Sequence, residues 1–136
     1  MNIEDSKNHV EILIVEDNKA DIRLIREYFK DDLTIYHNIN AVTDGVEALK
    51  YLKKEGEYKD AVRPDIILLD LYMPRMGGRE TLQEIRKDDT LANLVICVMT
   101  STVNEAMNMN IDLMPYTFYM NKPIDAENFL ELMHKA

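Results

Sequence analysis

Five side chains in this 136-residue chain have the types and placement that chemistry at one shared site requires. They are the adjacent acids Glu16 and Asp17, a third acid at Asp70, a hydroxyl at Thr100 and an ammonium at Lys122. Each stands at or just past the end of a short apolar run: ILIV before Glu16, IILL before Asp70, LVICVM before Thr100 and TFYM before Asn121 and Lys122. Three converging carboxylates repel one another, and one holds a proton unless a cation neutralises the group. A hard divalent ion does this. Mg2+ (or Mn2+) suits a site of few carboxylates, spare waters and a phosphate oxygen. A carboxylate is also a nucleophile toward phosphorus and forms an aspartyl phosphate. Phosphoryl transfer then asks mainly for positioning and charge stabilisation, to which the ion, Lys122 and the Thr100 hydroxyl all contribute. The set is sufficient for a metal-dependent phosphoacceptor.

The elements that must position these groups alternate along the chain. Residues 66–69 (IILL) form an unbroken apolar run, the pattern of a strand buried on both faces of a parallel sheet. Pro74 and the Gly77-Gly78 pair turn the chain before a helix over 79–88, with Leu82 and Ile85 on its buried stripe. Upstream, a polar lead-in ends near Val10 and residues 12–15 (ILIV) give a first strand. Asn18 caps the helix that follows, with Asp21 at its third position favouring the dipole and Ile22, Ile25 and Phe29 at helical spacing. Residues 34–42 read as a second strand. Asp44 and Glu47 form a capping box for a helix with Val46, Leu49 and Leu52 as its apolar side, ended by Gly56.

Downstream, residues 94–99 (LVICVM) read as the fourth strand. Thr102 with Glu105 opens a fourth helix through about Leu113, and Pro115 ends it. Residues 117–120 (TFYM) are the fifth strand, and a short last helix starts at Asp125. This is an α/β chain of five strand–helix units. Right-handed crossovers make it a doubly wound parallel sheet with helices on both faces, a three-layer flavodoxin-like fold of strand order 2-1-3-4-5. Its switch point lies between strands 1 and 3, which end in Glu16-Asp17 and Asp70. Ligands bind at that edge in such sheets.

Composition narrows the function classes. The length fits one domain over 1–136, with its core over about 10–135 and no output domain expected. A net charge of −9 argues against nucleic-acid or anionic-membrane surfaces, which ask for a basic footprint. The one cysteine, Cys97, lies in an apolar run and reads as a small buried hydrophobe. The polar first residues predict no signal peptide, so a cytoplasmic location is expected.

Taken together, ILIVEDNKAD, DGVEAL, IILLDLYMP with Gly78 eight residues past Asp70, and YMNKP resemble the receiver domains of two-component response regulators, the CheY-like family, over essentially the whole chain. The spacing matches as well: Thr100 follows Asp70 by thirty residues, and Lys122 follows Thr100 by twenty-two. The resemblance implies that Asp70 is the phosphoacceptor and that Glu16 and Asp17 hold Mg2+ together with the backbone carbonyl of Tyr72. It implies that Lys122 ion-pairs with Asp70 and then with the phosphoryl group. Thr100 becomes the switch hydroxyl, Tyr119 the aromatic ring that follows it, and Pro123 the candidate for a cis peptide bond. A sensor histidine kinase is the implied donor. The implied output is a binding switch acting in trans through the fourth helix, fifth strand and last helix. A relay to a histidine phosphotransfer protein, and a binding module independent of phosphorylation, remain alternatives. A monomer and a phosphorylation-linked homodimer are both compatible with the family.

Some positions depart from the family pattern. Met114-Pro115-Tyr116 stands where a Gly-Ala pair is usual before the fifth strand. Tyr72 is bulky where relatives are often small or polar, and Thr102 is neither acid nor amide. Tyr72 and Thr102 flank the path of hydrolytic water, so slow self-dephosphorylation is expected. Two other classes fit poorly. A phosphatase with an aspartyl nucleophile wants a second acid at the position of Tyr72. A flavin site wants a Ser/Thr/Gly-rich loop where EDNKAD stands.

Overall fold

The computed structural model describes residues 9–30, 36–101 and 110–122, with Asp125, Glu127 and Glu131. The strands are β1 (His9–Val15), β2 (Tyr36–Val42), β3 (Ile66–Asp70), β4 (Val95–Thr100) and β5 (Thr117–Asn121). They form one sheet in the order β2-β1-β3-β4-β5, every neighbouring pair parallel. This is the doubly wound α/β order expected from the sequence.

Period-two alternation divides the apolar runs between two cores. Ile12, Ile14, Ile66, Leu68, Cys97 and Met99 face α1 (Lys19–Lys30) and its buried Ile25 and Phe29. On the other face, Leu13, Val15, Ile67, Leu69, Ile96 and Val98 pack with residues from α2 (Gly45–Leu52) and α3 (Gly78–Lys87), namely Ala48, Tyr51, Leu82 and Ile85. All five residues of β3 are buried, which explains its unbroken apolar run. Each fully buried aliphatic side chain is worth about 1.5–3 kcal/mol relative to exposure, so the central strands fix the sheet.

Register then sets the site. Val15 pairs with Leu69, Asp70 with Met99, and Thr100 with Asn121. Glu16, Asp70, Thr100 and Lys122 therefore leave the sheet along one edge. Two backbone bonds carry the pairing past the strands: Glu16 N–H donates to the Val42 carbonyl at 3.0 Å, and Lys122 N–H to the Thr100 carbonyl at 2.8 Å.

Some local readings need correction. The buried face of α2 is Gly45, Ala48 and Tyr51, with Leu49 and Leu52 only partly buried against the core. Small residues let α2 approach α3: a β-carbon on Gly45 would collide with the Thr81 hydroxyl. α2 also stops at Leu52 rather than at Gly56. Lys54 turns left-handed at φ 57°, and Gly56–Tyr58 form a separate 3-10 turn. β1 begins at His9, since pairing with β2 extends its polar end. β4 and β5 each run one residue further, to Thr100 and Asn121, and α3 runs from Gly78 to Lys87. Residues 102–109 lie outside the described residues. Beyond them Asn110 is left-handed and Ile111–Leu113 form a 3-10 turn, so the α-helix expected through Leu113 does not extend that far. Of the last helix, Asp125 accepts the Glu127 N–H at 3.1 Å, as a cap would.

Candidate functional site

The first two acids come from the turn between β1 and α1. Glu16 is buried, and its Oε1 accepts the Asn18 N–H at 3.2 Å. Asn18 in turn caps α1, its Oδ1 accepting the N–H groups of Ala20 at 2.9 Å and Asp21 at 3.2 Å. That cap fixes the direction in which α1 leaves the crevice. Asp17 is exposed at its mouth.

Asp70 closes β3 and is buried. The chain must then turn at once. Leu71 N–H donates to the Met99 carbonyl at 3.3 Å, and Gly78 N–H returns to the Leu71 carbonyl at 3.0 Å. The turn closes because position 78 has no side chain: a β-carbon there would strike the Asp70 carbonyl oxygen. Within the turn Arg75 is left-handed at φ 63° and reaches back to α2, 3.4 Å from Asp44 and 3.3 Å from Glu47. Asp44 is buried and caps α2 by accepting the Glu47 N–H at 3.0 Å. Glu47 also accepts the Tyr58 hydroxyl at 2.9 Å. With Gly45 N–H bonded to the Met76 carbonyl at 3.0 Å, the turn that carries Tyr72 is pinned to the start of α2. The Tyr72 ring itself is exposed.

Lys122 draws these parts together. Its Nζ lies 2.8 Å from Glu16 Oε2, 2.9 Å from Asp21 Oδ2 and 3.0 Å from Asp70 Oδ1. Thr100 is fully buried at the end of β4, beside Lys122 through the backbone bond described above. Tyr119 pairs with Val98, two places in from the edge, and its ring is exposed. Thr102 and Pro123 lie outside the described residues.

The electrostatics follow from burial against crowding. Burial pushes Glu16 up to about 7, the charge of Asp70 adds to the rise, and Lys122 opposes it. Asp70 is also raised, by burial first and by the Asp17 charge, again against Lys122. Burial alone would lower Lys122, but its three carboxylate contacts outweigh it and raise the value. One ammonium thus contacts three acids, Asp17 adds a fourth at the mouth, and the site carries an excess of negative charge. Glu16, Asp17 and Asp70 each offer an oxygen, all within 4.8 Å of one another. Such an all-oxygen, charge-rich set fits a hard divalent cation.

The sequence reading missed one member, Asp21. The sequence pattern points only to a dipole role for it, yet its carboxylate is part of the Lys122 cluster. Its place in the first turn of a capped helix leaving the crevice was the available signal. Among the described residues, no helix is long and apolar enough to cross a membrane.

Comparison with known proteins agrees with this geometry. The family described as "Response regulator receiver domain" matches residues 12–134. Response regulator Rcp1 of Synechocystis sp. is 44% identical over 94 residues, covering 69% of this chain and 63% of that relative. The chain thus spans less than two thirds of that relative's length. The crystal structure of the phosphorylated cyanobacterial phytochrome response regulator RcpA is similar at TM-score 0.78 and 40% identity, covering 93% of this chain and 90% of that one. The Mn2+-bound form of response regulator Rcp1 is similar at TM-score 0.77 and 35% identity, with the same coverage of both chains. The acid cluster at the switch point, the lysine that crosses it and the matched family lead to one conclusion: this chain belongs to the receiver domain family of two-component response regulators.

Proposed function

We propose that Asp70 is the phosphoacceptor of this receiver, taking a phosphoryl group from a histidine kinase in the cytoplasm. The observation that carries the reading is the Lys122 ammonium, 3.0 Å from a buried Asp70 carboxylate at the sheet's switch point. An Asp70 oxygen attacks phosphorus, and the bond from phosphorus to the donor's imidazole nitrogen breaks. The electron pair leaves with the imidazole, and the product is an aspartyl phosphate. Glu16, Asp17, Asp70 and the Tyr72 carbonyl would hold Mg2+. When bound, Mg2+ neutralises charge on the phosphoryl oxygens.

The protein's own groups do the rest. Lys122 stabilises the added negative charge, and its multiple carboxylate contacts keep it protonated throughout the neutral range. Thr100 supplies a hydroxyl to a phosphoryl oxygen, and Tyr119 responds to its movement. The surface around β5 then carries the change to a partner acting in trans. The phosphorylated RcpA and Mn2+-bound Rcp1 structures support this reading as relatives. Outside its own phosphorylation and dephosphorylation, the chain is a switch rather than an enzyme.

Intact-protein mass after incubation with acetyl phosphate and Mg2+ tests the proposal. One phosphoryl adduct is expected, and it is absent in Asp70→Asn and in the presence of a chelator. No adduct on folded, Mg2+-binding protein overturns it and favours a binding module independent of phosphorylation.

A further inference from the structure

Helix α1 carries a row of cations on one face. Its exposed residues are Lys19, Ala20, Arg23, Arg26, Glu27 and Lys30, and four of the six are cations. They follow at i, i+4, i+7 and i+11, which gathers them within about 60° of the helix circumference and over about 16 Å of its axis. Asp21, which contacts Lys122, stands about 170° round the helix from the centre of this row. The row therefore looks away from the crevice. It lies toward β2, where Arg26 Nη1 donates to the Ile39 carbonyl at 3.4 Å.

A helix face that only meets water is not usually built this way. Like charges three and four places apart repel on a helix, and 19–23, 23–26 and 26–30 are all such pairs. Lys19 also stands in the first turn, where the helix dipole disfavours a cation. In α2 and α3 an acid answers a cation at this spacing: Lys50 lies 3.8 Å from Glu47, and Lys87 lies 3.5 Å from Glu84. Among the described residues, none of the four α1 cations forms an ion pair. A chain of net charge −9 thus places four of its sixteen lysines and arginines in one uncompensated row.

Such a row is complementary to an acidic partner. Nucleic acid fits it poorly, because the rest of the chain is strongly acidic and repels a polyanion that extends beyond one row. A lipid surface fits poorly as well. An interfacial helix needs large apolar residues beside its cations, and the one exposed apolar residue on α1 is Ala20. A helix fits in length and spacing. Laid along α1, acids at i, i+4, i+7 and i+11 face the four cations over the same distance.

We propose that the row Lys19, Arg23, Arg26 and Lys30 is a docking surface for an acidic α-helix of a partner protein. It lies outside the crevice and does not depend on the phosphoacceptor reading. Docking there leaves uncovered the side of α1 that carries Asp21 and meets Lys122.

The test is an NMR titration of the full 15N-labelled chain with a synthetic helical peptide bearing glutamate at i, i+4, i+7 and i+11. Amide shifts are expected to move along residues 19–30. Half-saturation is expected to rise about tenfold in Arg23→Glu/Arg26→Glu, which loses two exposed pairs and gains two repulsions. Added salt should weaken binding to wild type. A peptide with lysine at the four positions should bind the reversed variant and not wild type, and a scrambled glutamate peptide should bind wild type several-fold more weakly. No shift along α1, equal binding of the scrambled peptide, or unchanged half-saturation in the variant overturns the proposal. So does tighter binding, through the same residues, of a short DNA duplex or of phosphatidylserine vesicles. Acetyl phosphate with Mg2+ should give the variant the wild-type yield of phosphoryl adduct. Loss of adduct in the folded variant overturns the separation of the row from the crevice, whereas no adduct on either protein overturns the phosphoacceptor reading alone.

Discussion

Gly78 packs against the Asp70 carbonyl so closely that position 78 has no room for a β-carbon. The glycine that starts α3 is thus part of how the candidate acceptor is held. Gly78→Ala forces the turn after β3 open, and overpacking of this kind costs about 1–3 kcal/mol. The neighbouring Gly77 is a graded control, since a β-carbon there meets the Leu71 carbonyl at 3.3 Å, a contact that small adjustments relieve. Thermal unfolding is expected to rank wild type above Gly77→Ala and Gly77→Ala above Gly78→Ala. The yield of phosphoryl adduct should fall in the same order. Equal melting temperatures for the two variants contradict this.

Glu16 links the site to pH. In the folded protein, burial pushes it up to about 7 from an ordinary value of 4.5, and Asp70 is raised in the same direction. Both groups bind a proton more tightly folded than unfolded. Their contribution to stability is fully present below the unfolded values and is lost as pH rises through the folded ones. Metal-free protein should therefore melt at a lower temperature near pH 8 than near pH 5, and Glu16→Gln should flatten the profile. Added Mg2+ should raise the melting temperature more at the alkaline end, where no proton competes for the carboxylate. A Mg2+ effect that grows toward acid pH excludes this assignment.

The frame of the site was legible where burial is complete. The run 66–69 could only be a strand covered on both faces, and Glu16, Asp70, Thr100 and Lys122 follow from strands of that kind ending at one edge. Asp21 was not legible in the same way, because its role depends on where α1 lays its first turn against a lysine 101 residues away. The face of α2 departs from its hydrophobic pattern for a related reason. Hydrophobicity points to Val46, Leu49 and Leu52, whereas close approach to α3 selects the small Gly45 and Ala48. Arg75 gave no signal because its partners, Asp44 and Glu47, meet it only through the fold.

The entry to β5 stores strain at a residue with no obvious turn signal. Tyr116 is left-handed at φ 59°, a region costly to a residue with a β-carbon. It is held there through its carbonyl, which accepts the Ile96 N–H at 2.9 Å and an Arg86 N–H at 3.3 Å. Arg86 also donates to the carbonyls of Ala92 at 2.8 Å and Leu94 at 2.9 Å and to the Thr117 hydroxyl at 2.7 Å, tying α3 to the starts of β4 and β5. Tyr116→Gly relieves the strain and keeps both carbonyl bonds, so it should stabilise the protein by about 1 kcal/mol. Arg86→Met leaves several acceptors unpaired and should destabilise it by about 2–3 kcal/mol. Denaturant unfolding of both variants measures the two signs, and a destabilised Tyr116→Gly refutes the first.

Cys97 should be chemically silent in the native state. It is buried in β4 on the face of the sheet that packs against α1, and burial pushes its thiol up to about 12. The thiolate is the reactive form, so an aromatic disulfide reagent at neutral pH should find no native target. Labelling should instead proceed at the rate of global opening, since β4 sits inside the sheet between β3 and β5. Denaturant should accelerate it in step with unfolding. Rapid stoichiometric labelling of folded protein contradicts the burial.

Tyr72 is expected to govern the lifetime of the proposed aspartyl phosphate. It stands two residues past Asp70, in the turn that Arg75 pins to α2, and is 57% exposed. An exposed ring two residues past Asp70 has no anchoring demand from the core and would be free to cover a phosphoryl group. It also offers no amide or carboxylate to orient an attacking water molecule. Hydrolysis of the acyl phosphate needs such a water in line with phosphorus. The phosphorylated protein is therefore expected to persist for minutes or longer in Mg2+ buffer, and Tyr72→Asn to shorten that lifetime several-fold. Loss of the adduct with time, followed by intact mass after donor removal, gives both rates. A wild-type lifetime of seconds, or identical decay in the variant, removes Tyr72 from this role and leaves the remaining site assignments unchanged.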